Sequence, residues 1–263
     1  MTLTHDVAVF GPARGLCCEH VVEPGERAVS IERMSMLSNQ ASVALVGPDA
    51  RLLWFCHPEP DSGALFAEVL GGPEAGAFAI APLHGRMPLG QRYLPGTMTV
   101  RTRWSRLEVT DHLAHDTEPG RTDLVRAVQG STPFRVEFAP RPDFGRAPVR
   151  IVAEDDGLRV HGADFPMVLR SPGVEWYIEH EGGQDTAWAT VVPVPGEPVV
   201  FELRCGSSLL TAHPFTEAER REHGEREWTT WSSKLRLPRV EQELVARSAL
   251  TLRGLCTPTG GVM

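Results

Sequence analysis

The stretch TDHLAHDTE, residues 110–118, gathers Asp111, His112, His115 and Asp116 within a few positions. Imidazoles and carboxylates are what a divalent metal takes as ligands, provided they converge on one point. Two histidines three apart in a strand-to-loop segment do not converge unaided, so this stretch reads as a solvated strand end. CCEH at 17–20 also has ligand-type residues. Its adjacent cysteines are poorly spaced for tetrahedral zinc, and no second Cys/His pair follows at zinc-site spacing. No metal and no cofactor is expected. Paired carboxylates would cleave a glycosidic linkage, one as acid and one as base or nucleophile. Asp61, Asp111, Asp143 and Glu175 are the available acids, each in or beside a turn-rich segment, and nothing in the sequence joins two of them. Neither a phosphate loop nor a Gly-x-Ser-x-Gly elbow occurs. Trp54, Trp104, Trp176 and Trp188 offer faces for stacking on sugar rings, although tryptophans in strands more often fill cores. No residue is assigned a catalytic role.

The elements that would position these groups are mostly strands. ASVALV-GPDA-RLLWF (41–55) is two β-rich runs around a Gly-Pro-Asp turn, a hairpin pattern. GALFAEVLGG gives one or two helical turns stopped by Gly71-Gly72, and AFAIAP returns to strand. In TMTVRTRW, Met98, Val100, Thr102 and Trp104 alternate against Thr97, Thr99, Arg101 and Arg103, the period-two signature of a half-buried antiparallel strand. RLEVTDHL, DLVRAVQG, FRVEFAPRP, VRIVAE, LRVHG, MVLRS, VEWYIEHE, TAWATVV and PVVFELRC follow, with turn signals such as Asp156-Gly157 and Gly182-Gly183 between them. The fold class expected is mainly β, a large antiparallel sandwich followed by a C-terminal helical linker.

The pattern changes at residue 214. PFTEAERREHGEREWTTWSSKL reads as helix, with Thr216 as N-cap, acids in the first turn and Gly224 as an interruption. After Pro238, Val240, Leu244, Val245, Ala249, Leu252 and Leu255 fall on one helical stripe, with Glu241, Glu243, Arg247 and Arg253 opposite. The division expected is an arm or extra strand at 1–30, a sandwich at 31–213, a helical linker at 214–237 and a final helix at 238–263. That last apolar stripe requires a covering surface, either a groove on the sandwich or a second copy of the chain in a homo-oligomer.

Bulk composition narrows the classes. The 263 residues include 25 Gly and 22 Pro, roughly 18% together against a usual ~12%, which suits many turns between short strands. A net charge of −8 with scattered arginines argues against a nucleic-acid partner. No apolar run approaches the ~20 residues needed to span a bilayer, so no membrane association is expected. The N-terminal residues lack a secretory pattern, and five widely spread cysteines fit a reducing cytoplasm.

Several stretches, in this order, resemble the N-terminal part of bacterial glycoside hydrolase family 15, which includes glucoamylases and a group of trehalases. SVALVGPDARLLWFCHPEPDSGALFAEVLGGPEAGAFAIAP is similar to the family's opening, with Trp54, Cys56, Pro58, Asp61, Ser62, Phe66, Leu70 and Gly71 at its pattern positions. QRYLPGTMTVRTRW matches through Arg92, Tyr93, Pro95 and Thr97, and LVRAVQG…PFRVEFAPRPDFGR and VARSALTLRGLCTPTGG resemble later motifs. The resemblance implies a sandwich joined by a helical linker to an (α/α)6 barrel that carries two catalytic glutamates. It also implies that this sequence ends just inside the first barrel helix. The implied role is non-catalytic, bracing that barrel and shaping its entrance in an enzyme cleaving α-glucosidic bonds. The barrel would be present in cis or as a separate chain. Asp61 and Ser62, and more weakly Arg141 and Asp143, carry over as entrance-loop residues that contact a glucoside. Pinning the turn through backbone hydrogen bonds is their competing role. Glu59-Pro60 replaces the family's Arg-Phe, Phe144 its Tyr, and His112 its Phe. The alternative is a free-standing carbohydrate-binding or protein-interaction sandwich without a barrel. A further alternative, an independent enzyme built on Asp111 and His115, ranks behind both.

Overall fold

The computed structural model describes residues 29–257 and 260–262. The N-terminal arm, with CCEH, therefore lies almost wholly outside the described residues. In chain order the strands are β1 (Ser35–Ser38), β2 (Val43–Val46), β3 (Leu52–Cys56), β4 (Ala64–Phe66), β5 (Ala77–Pro82), β6 (Gly90–Tyr93), β7 (Val100–Arg103) and β8 (Leu107–Leu113). They continue with β9 (Thr122–Gly130), β10 (Phe134–Ala139), β11 (Arg150–Glu154), β12 (Gly157–His161), β13 (Met167–Arg170), β14 (Tyr177–Glu181), β15 (Gln184–Val191) and β16 (Val199–Cys205). Among the described residues three α-helices accompany them: α1 (Glu68–Gly71), α2 (Glu217–Ser232) and α3 (Gln242–Gly254).

The strands form two 8-stranded sheets. The first runs β1-β2-β3-β5-β10-β15-β14 with β4 on β3, the second β11-β12-β13-β16-β9-β8-β7-β6. Pairing within them is antiparallel. Each strand expected between residues 41 and 205 is present, Ala64–Phe66 forms a strand where helical turns were expected, and the hairpin around Gly-Pro-Asp is the β2–β3 pair. Strand alternation builds the core directly. In β10, Phe134, Val136 and Phe138 point inward and are fully buried, while Arg135 and Glu137 point outward. Phe66, Phe78 and Phe138 form one aromatic knot, with Phe78 and Phe138 edge to face at 5.3 Å.

An ion pair sits inside this apolar layer. Arg126 of β9 and Asp111 of β8 share the inward face and are both buried, with Arg126 Nε donating to Asp111 Oδ1 at 2.8 Å. The same guanidinium donates to the carbonyl of Phe78 at 2.6 Å and to that of Ala50, so it bridges the two sheets. Asp111 is thus no solvated strand end. His112, its neighbour, lies on the opposite face, buried beneath α2 with Nδ1 3.8 Å from Glu217. Strand alternation sends the two to different layers, and they cannot serve one centre.

The helices cover the outer faces unevenly. Thr216 caps α2 with a complete capping box: its Oγ1 accepts from the Glu219 N–H at 3.3 Å, and Glu219 accepts from the Thr216 N–H at 2.8 Å. Gly224 does not interrupt the helix. It lets α2 approach His115, because a Cβ there would stand 3.0 Å from the imidazole. Arg220 anchors α2 to the second sheet, donating to Asp123 at 2.7 Å and to both oxygens of Asp116 at 3.1 Å. Trp228 packs edge to face on His115 and joins Met36, Met98 and Leu250 in a small second core.

Candidate functional site

Three loops meet at one end of the sandwich. The first follows β3 and holds His57, a cis peptide to Pro58, Ser62 and Gly63. The second follows β10 and holds Arg141 and Asp143, and the third carries Asp164 and Phe165. Together they enclose a cavity of about 310 Å³ lined by His57, Ser62, Pro142, Asp143, Asp164 and Phe165. Two of the four residues expected here, Ser62 and Asp143, therefore do face a shared space. Gly63 makes the meeting possible, since a Cβ on it would lie 3.2 Å from the Asp143 Cα.

Ser62 also shapes its own turn: its Oγ accepts from the Glu59 N–H at 3.1 Å and its N–H donates to the Glu59 carbonyl at 3.0 Å. Asp61 is exposed at the turn's tip. Asp143, Phe144 and Gly145 are three successive left-handed residues, with φ of 51°, 58° and 79°. Two of them carry side chains, so this turn is strained and held by its surroundings. The Phe144 ring rests 6.1 Å from Trp54, and the Arg146 guanidinium lies over it at 5.5 Å. Arg141 turns away from the cavity. Its guanidinium donates to the Asp185 carbonyl at 2.9 Å and to Thr186 Oγ1 at 3.0 Å, tying the loop to β15. Burial pulls its pKa down against the attraction of Glu74, Glu137 and Asp185.

His57 and Phe165 complete the cavity wall, and the sequence did not single them out. The imidazole is buried edge-on against Phe165 at 4.4 Å, with Nδ1 3.2 Å from Thr122 Oγ1. Burial lowers its pKa to about 4, so it is neutral at pH 7. The candidate acids are dispersed. Asp111 is in the core, Asp61 and Asp143 are on these loops, and Glu175 borders the outer face of the first sheet.

A family model, described as trehalase-like, N-terminal, matches residues 22–228. The chain belongs to this family. The trehalase of Mycobacterium tuberculosis is 34% identical over 70 residues, which is 27% of this chain and 10% of that protein. The trehalase of Mycolicibacterium smegmatis is likewise 34% identical over 68 residues, 26% of this chain and 10% of that one. The matches to these curated relatives thus span about a tenth of their length. Among solved structures, a bacterial glucoamylase crystallised with acarbose superposes with a TM-score of 0.60 at 10% identity. The superposition takes in 95% of this chain and 43% of that one, and at such identity it shows the fold alone.

C-terminal to the matched residues, α3 carries a second notable surface. The helix docks on the first sheet through Leu250 and Gly254, with the Gly254 carbonyl accepting from Ser38 Oγ at 2.7 Å. Arg247 lies 3.6 Å over the Tyr93 ring, and Tyr93 in turn bonds both backbone groups of Met36. This is not the face expected from the apolar stripe. Leu244 and Leu252 remain 62% and 63% exposed, Val245 is partly exposed, and Val240 precedes the helix altogether. Docking selects the smallest residue for close approach and the stem of an arginine for an aromatic face, so counting apolar positions picked the wrong side. Among the described residues no helix is long and apolar enough to cross a membrane.

Proposed function

We propose that this trehalase-like domain is the non-catalytic sandwich of a glycoside hydrolase family 15 enzyme that hydrolyses α-glucosidic bonds. It braces a helical catalytic barrel, supplied in cis or by a separate chain, and shapes the entrance to its site. The observation that carries this reading is α3. One face is fixed to the sandwich by Leu250 and Gly254, while Leu244, Val245 and Leu252 are presented outward. A helix apolar on both sides fits between two packed bodies. The strained 143–145 turn and the Ser62 turn form the rim that would border the entrance, with Asp61, Ser62 and Asp143 as its polar groups and Arg141 holding the loop in place. The free thiols of Cys56, Cys205 and Cys256 suit a reducing cytoplasm.

Glucose release from trehalose, maltose and soluble starch tests the reading. The chain alone should release none, and activity should appear when a family 15 barrel is supplied. Leu244→Glu together with Leu252→Glu should abolish that barrel-dependent activity while leaving the sandwich folded. Turnover by the chain alone that copurifies with it, or full activity in the double variant, would overturn the proposal.

A further inference from the structure

Among the described residues no helix covers the outer face of the first sheet over β5, β10, β15 and β14, far from α3, which sits over β1 and β2 at the opposite edge. Two hollows lie side by side there. One, of about 430 Å³, has a floor of Ala79 and Ala81 and a wall bearing Asp49, Arg51, Arg86 and Glu137. The other, of about 400 Å³, is bordered by Glu175, Trp176 and Tyr177. Trp188 and Arg135 line both, and the Arg135 guanidinium is stacked on the Trp188 ring at 4.0 Å, so this pair forms their common wall.

Strand register aligns the groups. Tyr177, Trp188, Glu137 and Ala79 are cross-strand partners in one row, with Thr190, Arg135 and Ala81 in the next. Three interstrand steps of ~4.8 Å give a trough on the order of 14 Å long, the reach of a short oligomer rather than a single small metabolite. Tyr177 is 69% exposed, an aromatic face turned to water on a paired strand.

We propose that this trough binds a neutral oligosaccharide. Three features select that class. The exposed aromatic face of Tyr177, beside the Arg135-stacked Trp188, suits the C–H face of a pyranose ring, because a ring's negative π surface attracts weakly positive hydrogens. Guanidinium and carboxylate groups offer the paired donors and acceptors that adjacent hydroxyls require. Arg51 is already held, donating to Glu137 at 3.1 Å and to Glu68, so part of the polar wall is preorganised. The charges of the lining balance, three arginines against three acids, which disfavours a polyanion. A protein partner fits less well, since interface centres are depleted in charged residues and this one is dense with them. The inference is independent of the bracing role, because it concerns another face of the domain.

Amide chemical-shift titration of the whole chain with maltoheptaose and with cellohexaose tests it. At least one probe should give saturable shifts confined to β5, β10, β14 and β15, complete by about 10 mM. Trp188→Ala should weaken binding roughly ten-fold or more, and Tyr177→Ala, at an exposed position that the fold does not need, by roughly five-fold. Ser62→Ala should leave it unchanged. Shifts from neither probe, shifts mapping to the loop cavity instead, or affinity untouched in both aromatic variants would overturn the proposal. So would self-association through this face, seen by sedimentation and removed by Tyr177→Ala.

Discussion

Replacing Arg126 with methionine removes the cation that, among the described residues, pairs with Asp111 inside the sandwich. Wild-type Arg126 donates to Asp111 at 2.8 and 3.4 Å, to the Phe78 carbonyl at 2.6 Å, and to the Ala50 carbonyl. The variant has two ways to respond. An ionised Asp111 left without a partner costs about 3–5 kcal/mol, the usual penalty for breaking a buried pair. Alternatively the carboxyl takes up a proton, which at pH 7 costs about 4 kcal/mol for an aspartate of ordinary pKa, three pH units at ~1.4 kcal/mol each. The lower of the two limits the electrostatic loss to roughly 4 kcal/mol, and two carbonyls deprived of a charged donor add ~1–3 kcal/mol. The expected total is therefore ~5–7 kcal/mol at pH 7. At pH 5 protonation is easier and the total falls to ~2–4 kcal/mol, at ~1.4 kcal/mol per pH unit. Against a domain stability of ~5–15 kcal/mol, this variant stands near the edge of folding. Urea unfolding at both pH values reads these differences. Adding Asp111→Asn should recover ~2 kcal/mol at pH 7, because no charge then remains to be buried. A loss below ~1 kcal/mol at pH 7, or one that does not shrink at pH 5, refutes the reasoning.

Arg220→Met should be milder, ~1–2 kcal/mol in the same assay, because Asp123 keeps Arg121 at 2.7 Å and Glu202 keeps Arg204 at 3.0 Å. His112 and His57 have pKa values lowered to about 3 and about 4 by burial, with Arg220 and Arg221 adding to the effect at His112. Below pH 6.5 the unfolded chain binds protons that the folded one refuses, so stability falls with pH at up to ~1.4 kcal/mol per unit for each imidazole. The raised carboxyl of Glu217 opposes this at lower pH. His112→Phe should visibly flatten the urea-midpoint profile between pH 6.5 and 5. Gly254→Ala places a Cβ 2.8 Å from Met36 Cε and 3.1 Å from Ser38 Cβ. It should loosen α3 at ~1–3 kcal/mol, read as faster amide exchange confined to that helix and β1.

The alternation in TMTVRTRW and FRVEFAP is legible because a half-buried strand must show it, and β7 and β10 follow it residue by residue. The Thr216 cap is equally local, two side chains three positions apart serving each other. What the sequence hides is which strand becomes whose neighbour. The Trp188–Arg135 stack joins residues that are far apart in the chain, and only the β10–β15 register makes them adjacent. Arg126 interrupts an apolar strand and would pass for an outward charge. Its inward position follows from Asp111 across the ladder, a pairing that no local pattern announces. The loop cavity is half legible. Ser62 and Asp143 lie in turn-rich segments, whereas Phe165 reaches the same space from a hairpin with no chemical signal of its own.

Among the described residues, β14 ends the first sheet and one row of its backbone groups has no neighbouring strand. Along that border run Glu179, His180 and Glu181, all exposed. A second copy approaching to extend the sheet would bring like carboxylates face to face, so the border repels its own kind. Concentrated solutions of the domain should therefore resist fibril growth by strand addition. Exchanging both glutamates for valine would turn that border into a nucleus for aggregation.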